Sequence, residues 1–154
     1  MLAAKIGIIK AREYHMSSMS LSHALKSEMT YIEIDSLKML LLPCELFPEL
    51  AYGGYLSADS SATGLGAQVN PEPLCSIAGD DQIMFIGLAN DEVGYVIPPN
   101  DFFLHDTRPY IEHARDRHNR RHYEETNSLG PDTAPKIAAV FKEMLKQVEK
   151  SKNM

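Results

Sequence analysis

Two short segments carry the residue types from which chemistry could be built: Leu42-Pro43-Cys44-Glu45 and Gly87-Leu88-Ala89-Asn90-Asp91-Glu92-Val93-Gly94-Tyr95. Each is placed where an apolar run breaks into turn-forming residues, so its polar groups stand at the rim of a core. A carboxylate (Glu45) and a phenol (Tyr95) presented from the ends of neighbouring strands can converge on one ligand. Oxygen donors of this kind suit a metal or a polarised carbonyl. Glu45 follows an apolar strand and precedes Leu46-Phe47, which carries its side chain to a partly buried edge where it needs a partner. On local sequence alone Glu45 also reads as a carboxylate at the start of a helix near Leu46 to Leu50, and Tyr95 as a routine strand tyrosine.

Other chemistry-bearing residues are weaker candidates. His118 and His122 are four apart and would share one face of a helix, with His113 close by, so a small metal site is one reading of the three. The intervening Asn119-Arg120-Arg121 lacks the glutamate of the H-E-x-x-H pattern and places two cations beside any metal, which favours surface histidines. Glu124 and Glu125 are adjacent and would face opposite ways on a strand, an arrangement unsuited to a shared proton and consistent with a supporting role. No G-x-S-x-G elbow is present, and Thr63-Gly64-Leu65-Gly66 lacks the G-K-[ST] of a phosphate loop. Cys44 and Cys75, the two cysteines, have no partners at zinc-site spacing and read as buried thiols rather than as a nucleophile or redox pair.

Several elements must position these residues. Met29 to Asp35 alternates, Asp35-Ser36 marks a tight turn, and Lys38 to Leu42 returns as an arm that is apolar on both faces, which predicts a hairpin whose second strand is central and ends at Pro43. Gln82 to Leu88 reads as a buried strand and Gly94 to Ile97 as a short one, with Asn90 and Asp91 in the turn between them. Ala51 to Pro73, rich in Gly, Ser, Ala and Asn, reads as a long functional or mobile loop. Tyr110 to Tyr123 is weakly patterned and is expected to be helical. Ile137, Val140, Phe141, Met144, Leu145 and Val148 form one stripe of a closing amphipathic helix, capped by Asp132 or Thr133, with Pro135 in its first turn and Lys146, Lys150 and Lys152 toward its C-terminal end. The fold class that follows is α/β in the broad α+β sense: a mixed β-sheet with flanking helices.

At 154 residues the chain is sized for a single domain or part of one. Apolar residues at 44 % and charged residues at 23 % are ordinary globular usage. A net charge of −6 opposes nucleic-acid binding. The dense basic stretch holds five arginines (Arg108, Arg115, Arg117, Arg120, Arg121) against four carboxylates (Glu112, Asp116, Glu124, Glu125), a self-paired surface. No apolar run reaches the roughly 18 residues of a membrane span. With no signal peptide evident, a cytoplasmic location is the default expectation.

The order L-P-C-E, G-L-A-N-D-E-V-G-Y-V, then His122-Tyr123-Glu124-Glu125-Thr126-Asn127-Ser128-Leu129-Gly130-Pro131-Asp132-Thr133 resembles the neutral/alkaline non-lysosomal ceramidase family, over about Met29 to Leu145 and the C-terminal part of that family's catalytic domain. The resemblance implies a zinc-dependent amidohydrolase acting on an N-acylated small molecule or lipid. It makes Glu45 and Tyr95 zinc ligands and places Tyr123 near the reacting carbonyl. Cys44 stands where the family has glycine, which asks whether a positive φ is needed there. The stretch from Tyr95 to Tyr123 is longer than in the family. The family's two histidine ligands have no equivalent here, and His15 and His23 precede the similarity. The resemblance therefore implies an incomplete site, to be completed by an upstream segment or a second copy, or else a non-catalytic binding or structural module derived from the same fold. Apolar surface left for such a companion is expected at Met39 to Leu42 and Gln82 to Leu88.

Overall fold

The structure is a computed structural model that describes residues 25–105, 107 and 115–153. His15, His23 and His113, and the first part of the helix expected over Tyr110 to Tyr123, lie outside the described residues. The chain forms β1 (Thr30–Ile34), β2 (Leu37–Leu41), β3 (Glu45–Leu46), helix α1 (Pro48–Tyr52), helix α2 (Leu74–Ala78), β4 (Met84–Ile86), β5 (Tyr95–Val96) and helix α3 (Thr133–Lys152), with 3-10 turns at Ala67–Val69 and Glu124–Asn127. The mixed sheet and the closing helix are those the pattern predicts.

The hairpin is present. β1 runs antiparallel to β2 with Thr30 opposite Leu41, and Asp35 adopts the left-handed φ of 54° that tightens the turn. β2 is central, because β4 lies parallel on its other side with Leu40 opposite Phe85. Alternation along these strands separates two faces. One buries Leu40, Leu42, Ile83 and, from α3, Phe141, whose ring stacks obliquely on Tyr31 at 5.9 Å. The other carries Ile34, Leu37, Met84 and Ile86, exposed at 61, 42, 49 and 39 %. Open apolar surface thus lies on β4, as the pattern anticipates, whereas on β2 Leu40 and Leu42 are fully buried.

Helix α3 buries a seam rotated from the predicted stripe. Ala134, Ala138 and Phe141 are buried while Val140 is 51 % exposed. Small side chains face α2, so the two backbones can approach closely, and the wider Val140 is turned to the opposite flank. Asp132 holds the N-cap position without a side-chain cap bond, and Lys152 near the end pairs with Glu33 of β1 at 2.6 Å.

The Ala51 to Pro73 stretch is not a loose loop. Asn100, fully buried, donates from Nδ2 to Leu56 O at 2.8 Å, its N–H donates to Asn70 Oδ1 at 3.0 Å, and its carbonyl accepts from Thr63 Oγ1 at 2.5 Å. Tyr55 OH closes the loop base by donating to Pro71 O at 2.8 Å. One buried residue, through its side-chain amide and its own backbone, therefore ties Leu56, Thr63 and Asn70 of the segment together, which hydrophobic periodicity cannot reveal. Residues 115–123 are likewise not helical: Arg115 and Arg121 form an antiparallel bridge across a turn in which Asn119 has φ of 61°.

Replacing Phe141 by Ala is expected to cost about 3–5 kcal/mol in urea unfolding, whereas Val140→Ala costs less than about 1 kcal/mol. Equal losses would contradict the rotated seam.

Candidate functional site

The two segments singled out at the start are interlocked through their backbones. Leu42 N–H donates to Ile86 O at 2.8 Å, Leu88 N–H to Cys44 O at 3.1 Å, Ala89 N–H to Leu42 O at 2.9 Å and Val93 N–H to Pro43 O at 2.8 Å. Glu45 N–H then donates to Gly94 O at 3.1 Å and Phe47 N–H to Val96 O at 3.0 Å, so a separate two-stranded pair, β3–β5, follows the β2–β4 pairing beyond the wrap. Gly87 through Tyr95 wraps around Pro43 and Cys44, and the wrap requires left-handed backbone at Leu88, Asn90 and Gly94. Asn90 Nδ2 ties the turn to β1 through Thr30 Oγ1 at 3.1 Å.

Two glycines are fixed by close approach. A Cβ on Gly87 would lie 2.8 Å from Cys44 O, and one on Gly94 would lie 1.8 Å from Asn127 O. The second contact draws the 3-10 turn after Tyr123 onto β5. Cys44 itself is not among the residues with positive φ, so its backbone needs no glycine. Its thiol is fully buried and pushed up to about 12 by burial and by the charge of Glu92, which suits packing rather than nucleophilic chemistry. Cys75 is also buried and free.

Glu45 and Tyr95 are direct partners in the parallel β3–β5 pair and so project from the same side of it. Tyr123, remote in sequence, places its hydroxyl in short hydrogen-bonding contact with that of Tyr95, the rings meeting edge-on at 5.4 Å. The structure thereby brings Glu45, Tyr95 and Tyr123 to one surface, with Glu45 exposed and Tyr123 at 40 % exposure. The Tyr95 phenol is held well above its ordinary value, first by the hydrogen bond with Tyr123, then by desolvation and by the negative charge of Glu45. A cation between carboxylate and phenol would invert this logic and favour the phenolate.

Behind Tyr123 lies a charged knot that motif reading missed. His122 is buried, 6 % exposed, in place of the surface position expected of it, while His118 is exposed. Its Nδ1–H donates to Glu125 Oε1 at 2.6 Å. Its Nε2 lies 3.1 Å from Asp116 Oδ2, off the hydrogen-bonding direction, so that approach is an ion pair only. Asp116 also accepts from the N–H groups of His118 at 2.8 Å and Arg120 at 2.9 Å and from Arg120 Nε at 2.7 Å. Arg120 reaches on to Asp101 at 3.0 Å. Glu125, expected only to support, is 3 % exposed and also accepts from Phe103 N–H at 3.2 Å. The alternating charges of 115–125 were the available signal. Among the described arginines and carboxylates of the stretch, Arg120 and Asp116 pair, Arg115 and Arg117 bond backbone carbonyls, and Asp116, His122 and Glu125 are buried, so this is not the self-paired surface the charge pattern predicts.

Burial opposes the charge on His122, but its bond to Glu125 and the nearby Asp116 outweigh it and raise its titration above the ordinary 6.5. Burial likewise opposes the Asp116 carboxylate, yet the N–H of Arg120, the His122 ring and the Arg120 guanidinium together hold it well below the ordinary 3.8.

Among the described residues no group of three or more His, Cys, Asp and Glu side chains could hold a metal ion, and no helix is long and apolar enough to cross a membrane. Compared with protein-family models, with curated proteins and with solved structures, the chain matches none.

Gly94→Ala is expected to lose roughly 2–5 kcal/mol of stability through combined overlap and backbone strain. Gly79→Ala, left-handed at φ 59° but facing open space, is expected to lose about 1–2 kcal/mol. The paired charges also predict a pH profile. The contribution of Asp116 is present above its ordinary 3.8 and lost as pH falls below it, and that of His122 is full below its ordinary 6.5 and lost as pH rises through its elevated folded value. Unfolding midpoints measured from about pH 3 to about pH 9 should therefore peak between 3.8 and 6.5, and His122→Gln should flatten the alkaline side.

Proposed function

We propose that this chain is a ceramidase-like segment of a zinc-dependent amidohydrolase acting on an N-acylated small molecule or lipid. The observation that carries the reading is the convergence of its three implied site residues: Glu45 and Tyr95 in direct strand register and Tyr123 against Tyr95. Their positions 45, 95 and 123 are far apart in the chain, and nothing in their local sequence requires them to meet.

The donor set fits a metal in part. A carboxylate and a phenol on one strand pair are hard oxygen donors suited to zinc, but a catalytic zinc takes three protein ligands and keeps one position open. The remaining donors, imidazoles in this reading, would come from an upstream segment or a second copy, and the apolar face of β1, β2 and β4 is where such a companion would pack. When bound, zinc would acidify water and polarise the amide carbonyl. The chain's own residues do the rest: Glu45 contributes negative charge, Tyr95 aligns the Tyr123 hydroxyl, and Tyr123 donates to the oxyanion that develops as the amide is attacked.

A second reading is a non-catalytic binding or structural module. The close approaches of Gly87 to Cys44 and of Gly94 to Asn127 favour it, because they account for both glycines of the second segment by packing alone.

Zinc titration of the untagged chain, with elemental analysis of the metal retained, separates the two. Glu45→Ala and Tyr95→Phe are each expected to weaken zinc binding at least about tenfold, with Tyr123→Phe leaving it unchanged. Zinc uptake indifferent to both Glu45→Ala and Tyr95→Phe would overturn the amidohydrolase reading, and a loss of stability alone would support the structural module.

A further inference from the structure

We infer that His122 is the positioning residue for Tyr123: its imidazole, gripped between Glu125 and Asp116, sets the turn from which the Tyr123 phenol reaches Tyr95. The inference extends the reading of Tyr123 as the oxyanion donor, but its observable is the contact between the two tyrosines, which exists without zinc or substrate.

Tyr123 follows His122 directly in the chain, and the two face different environments. The phenol is at the surface beside Tyr95, and the imidazole is buried behind it. The Tyr123 carbonyl accepts from Thr126 Oγ1 at 2.6 Å and Asn127 Nδ2 at 3.1 Å, so the turn is internally closed and can move as a unit. The imidazole is one of the groups that anchor that unit to the rest of the fold, beside the Glu125 bond to Phe103 N–H and the seat of Asn127 O on Gly94. On one side it bonds Glu125, whose same oxygen accepts from Phe103 N–H, and the Phe103 ring packs edge-on against it at 5.4 Å. On the other it pairs with Asp116, which through Arg120 is linked to Asp101 and to Ser60 O.

The charges facing the imidazole decide how the anchor behaves. Asp116 and Glu125 are buried against it, and Arg120 balances Asp116 and Asp101 from the far side. Arg121 and Glu124 line the small neighbouring cavity of about 140 Å³ together with His122. With His122 protonated, two inward carboxylates meet two cations. Once the proton leaves, Nδ1–H can still hold Glu125, but the ring no longer carries the positive charge that balanced Asp116 Oδ2 at 3.1 Å. Arg120, already divided between Asp116 and Asp101, is then the cation left at Asp116, and the lost attraction opens the Asp116 side. The turn loses its tie to Asp116 while Glu125 and Asn127 still hold its far end, and Tyr123, next to the released imidazole, loses its fixed approach to Tyr95. The tyrosine pair is therefore closed while His122 is protonated and released on alkalinisation, with His122 as the group that titrates.

The test is carbon-13 NMR of the full chain labelled at tyrosine Cζ and at the histidine rings, with Tyr95→Phe and Tyr123→Phe identifying the two phenol signals. The Tyr123 signal in the wild-type chain should move toward its Tyr95→Phe position as pH rises, with the same midpoint as the His122 ring and above 6.5. In His122→Gln it should sit at the released position throughout. Glu125→Gln keeps the side-chain shape and an acceptor and serves if His122→Gln does not fold. It should lower the shared midpoint by about one pH unit. A Tyr123 signal that does not follow the His122 titration, or a midpoint unmoved by Glu125→Gln, overturns the inference. Failure of the zinc reading would appear instead as a zinc titration insensitive to Glu45→Ala, with the tyrosine pair still titrating as described.

Discussion

The backbone hydrogen bonds between Leu42–Phe47 and Ile86–Val96, which link the β2–β4 pair to the separate β3–β5 pair across the wrap at Gly87 to Tyr95, are the interaction on which the rest of the structure depends. Proline and a buried cysteine occupy its middle, where Pro43 offers only a carbonyl and Val93 supplies the N–H that satisfies it. Because the wrap is bonded to Leu42, Pro43 and Cys44, its end delivers β5 beside β3, and Glu45 is set opposite Tyr95. A one-residue slip would turn one of the two side chains to the other face. The glycine at 94 then lets the Asn127 carbonyl approach closer than any side chain would permit, and this seats the turn carrying Tyr123 on β5.

Around that apolar and backbone frame the protein places a separate polar device. Asp116, His122 and Glu125 are each nearly free of solvent, and their charges persist because each has an opposite charge or a donor beside it. The knot joins three stretches that share no sheet: the loop at Ser60 to Ala62, the Asp101 to Phe103 segment and the turn at 115–125. Asn100 does similar work for the long Gly- and Ser-rich segment. Its side-chain amide bonds Leu56, its backbone N–H bonds Asn70 and its backbone carbonyl accepts from Thr63, so a stretch without hydrophobic periodicity is ordered by hydrogen bonding rather than by an apolar stripe.

Sequence pattern and structure part company where the deciding partner is distant. The helix at Thr133 to Lys152 is legible because its period repeats every turn, yet which edge of its stripe is buried depends on the close packing of Ala134 and Ala138 toward α2, so Val140 faces outward. His118 and His122 look equivalent at helical spacing. In the folded chain one is exposed beyond a tight turn and the other is clamped between two acids, because Asp116 and Glu125 converge on only one of them. Exposed Met84 and Ile86 on β4 accord with the expected open apolar surface, while the equally apolar Leu40 and Leu42 are fully covered by the core that Phe141 joins.

By itself the sequence determined the elements and their order: the hairpin turning at Asp35, the central strand ending at Pro43, the short strand at Tyr95, the closing helix, and the residue types at Glu45, Tyr95 and Tyr123. These follow from periodicities and turn chemistry that act over a few residues. Only the tertiary structure decided that Tyr123 reaches Tyr95 across 28 positions and that one histidine among the arginines is buried. Register between distant strands is chosen by the whole ladder, and a charge is buried only where its counter-charges assemble. Neither condition is written within a local stretch of chain.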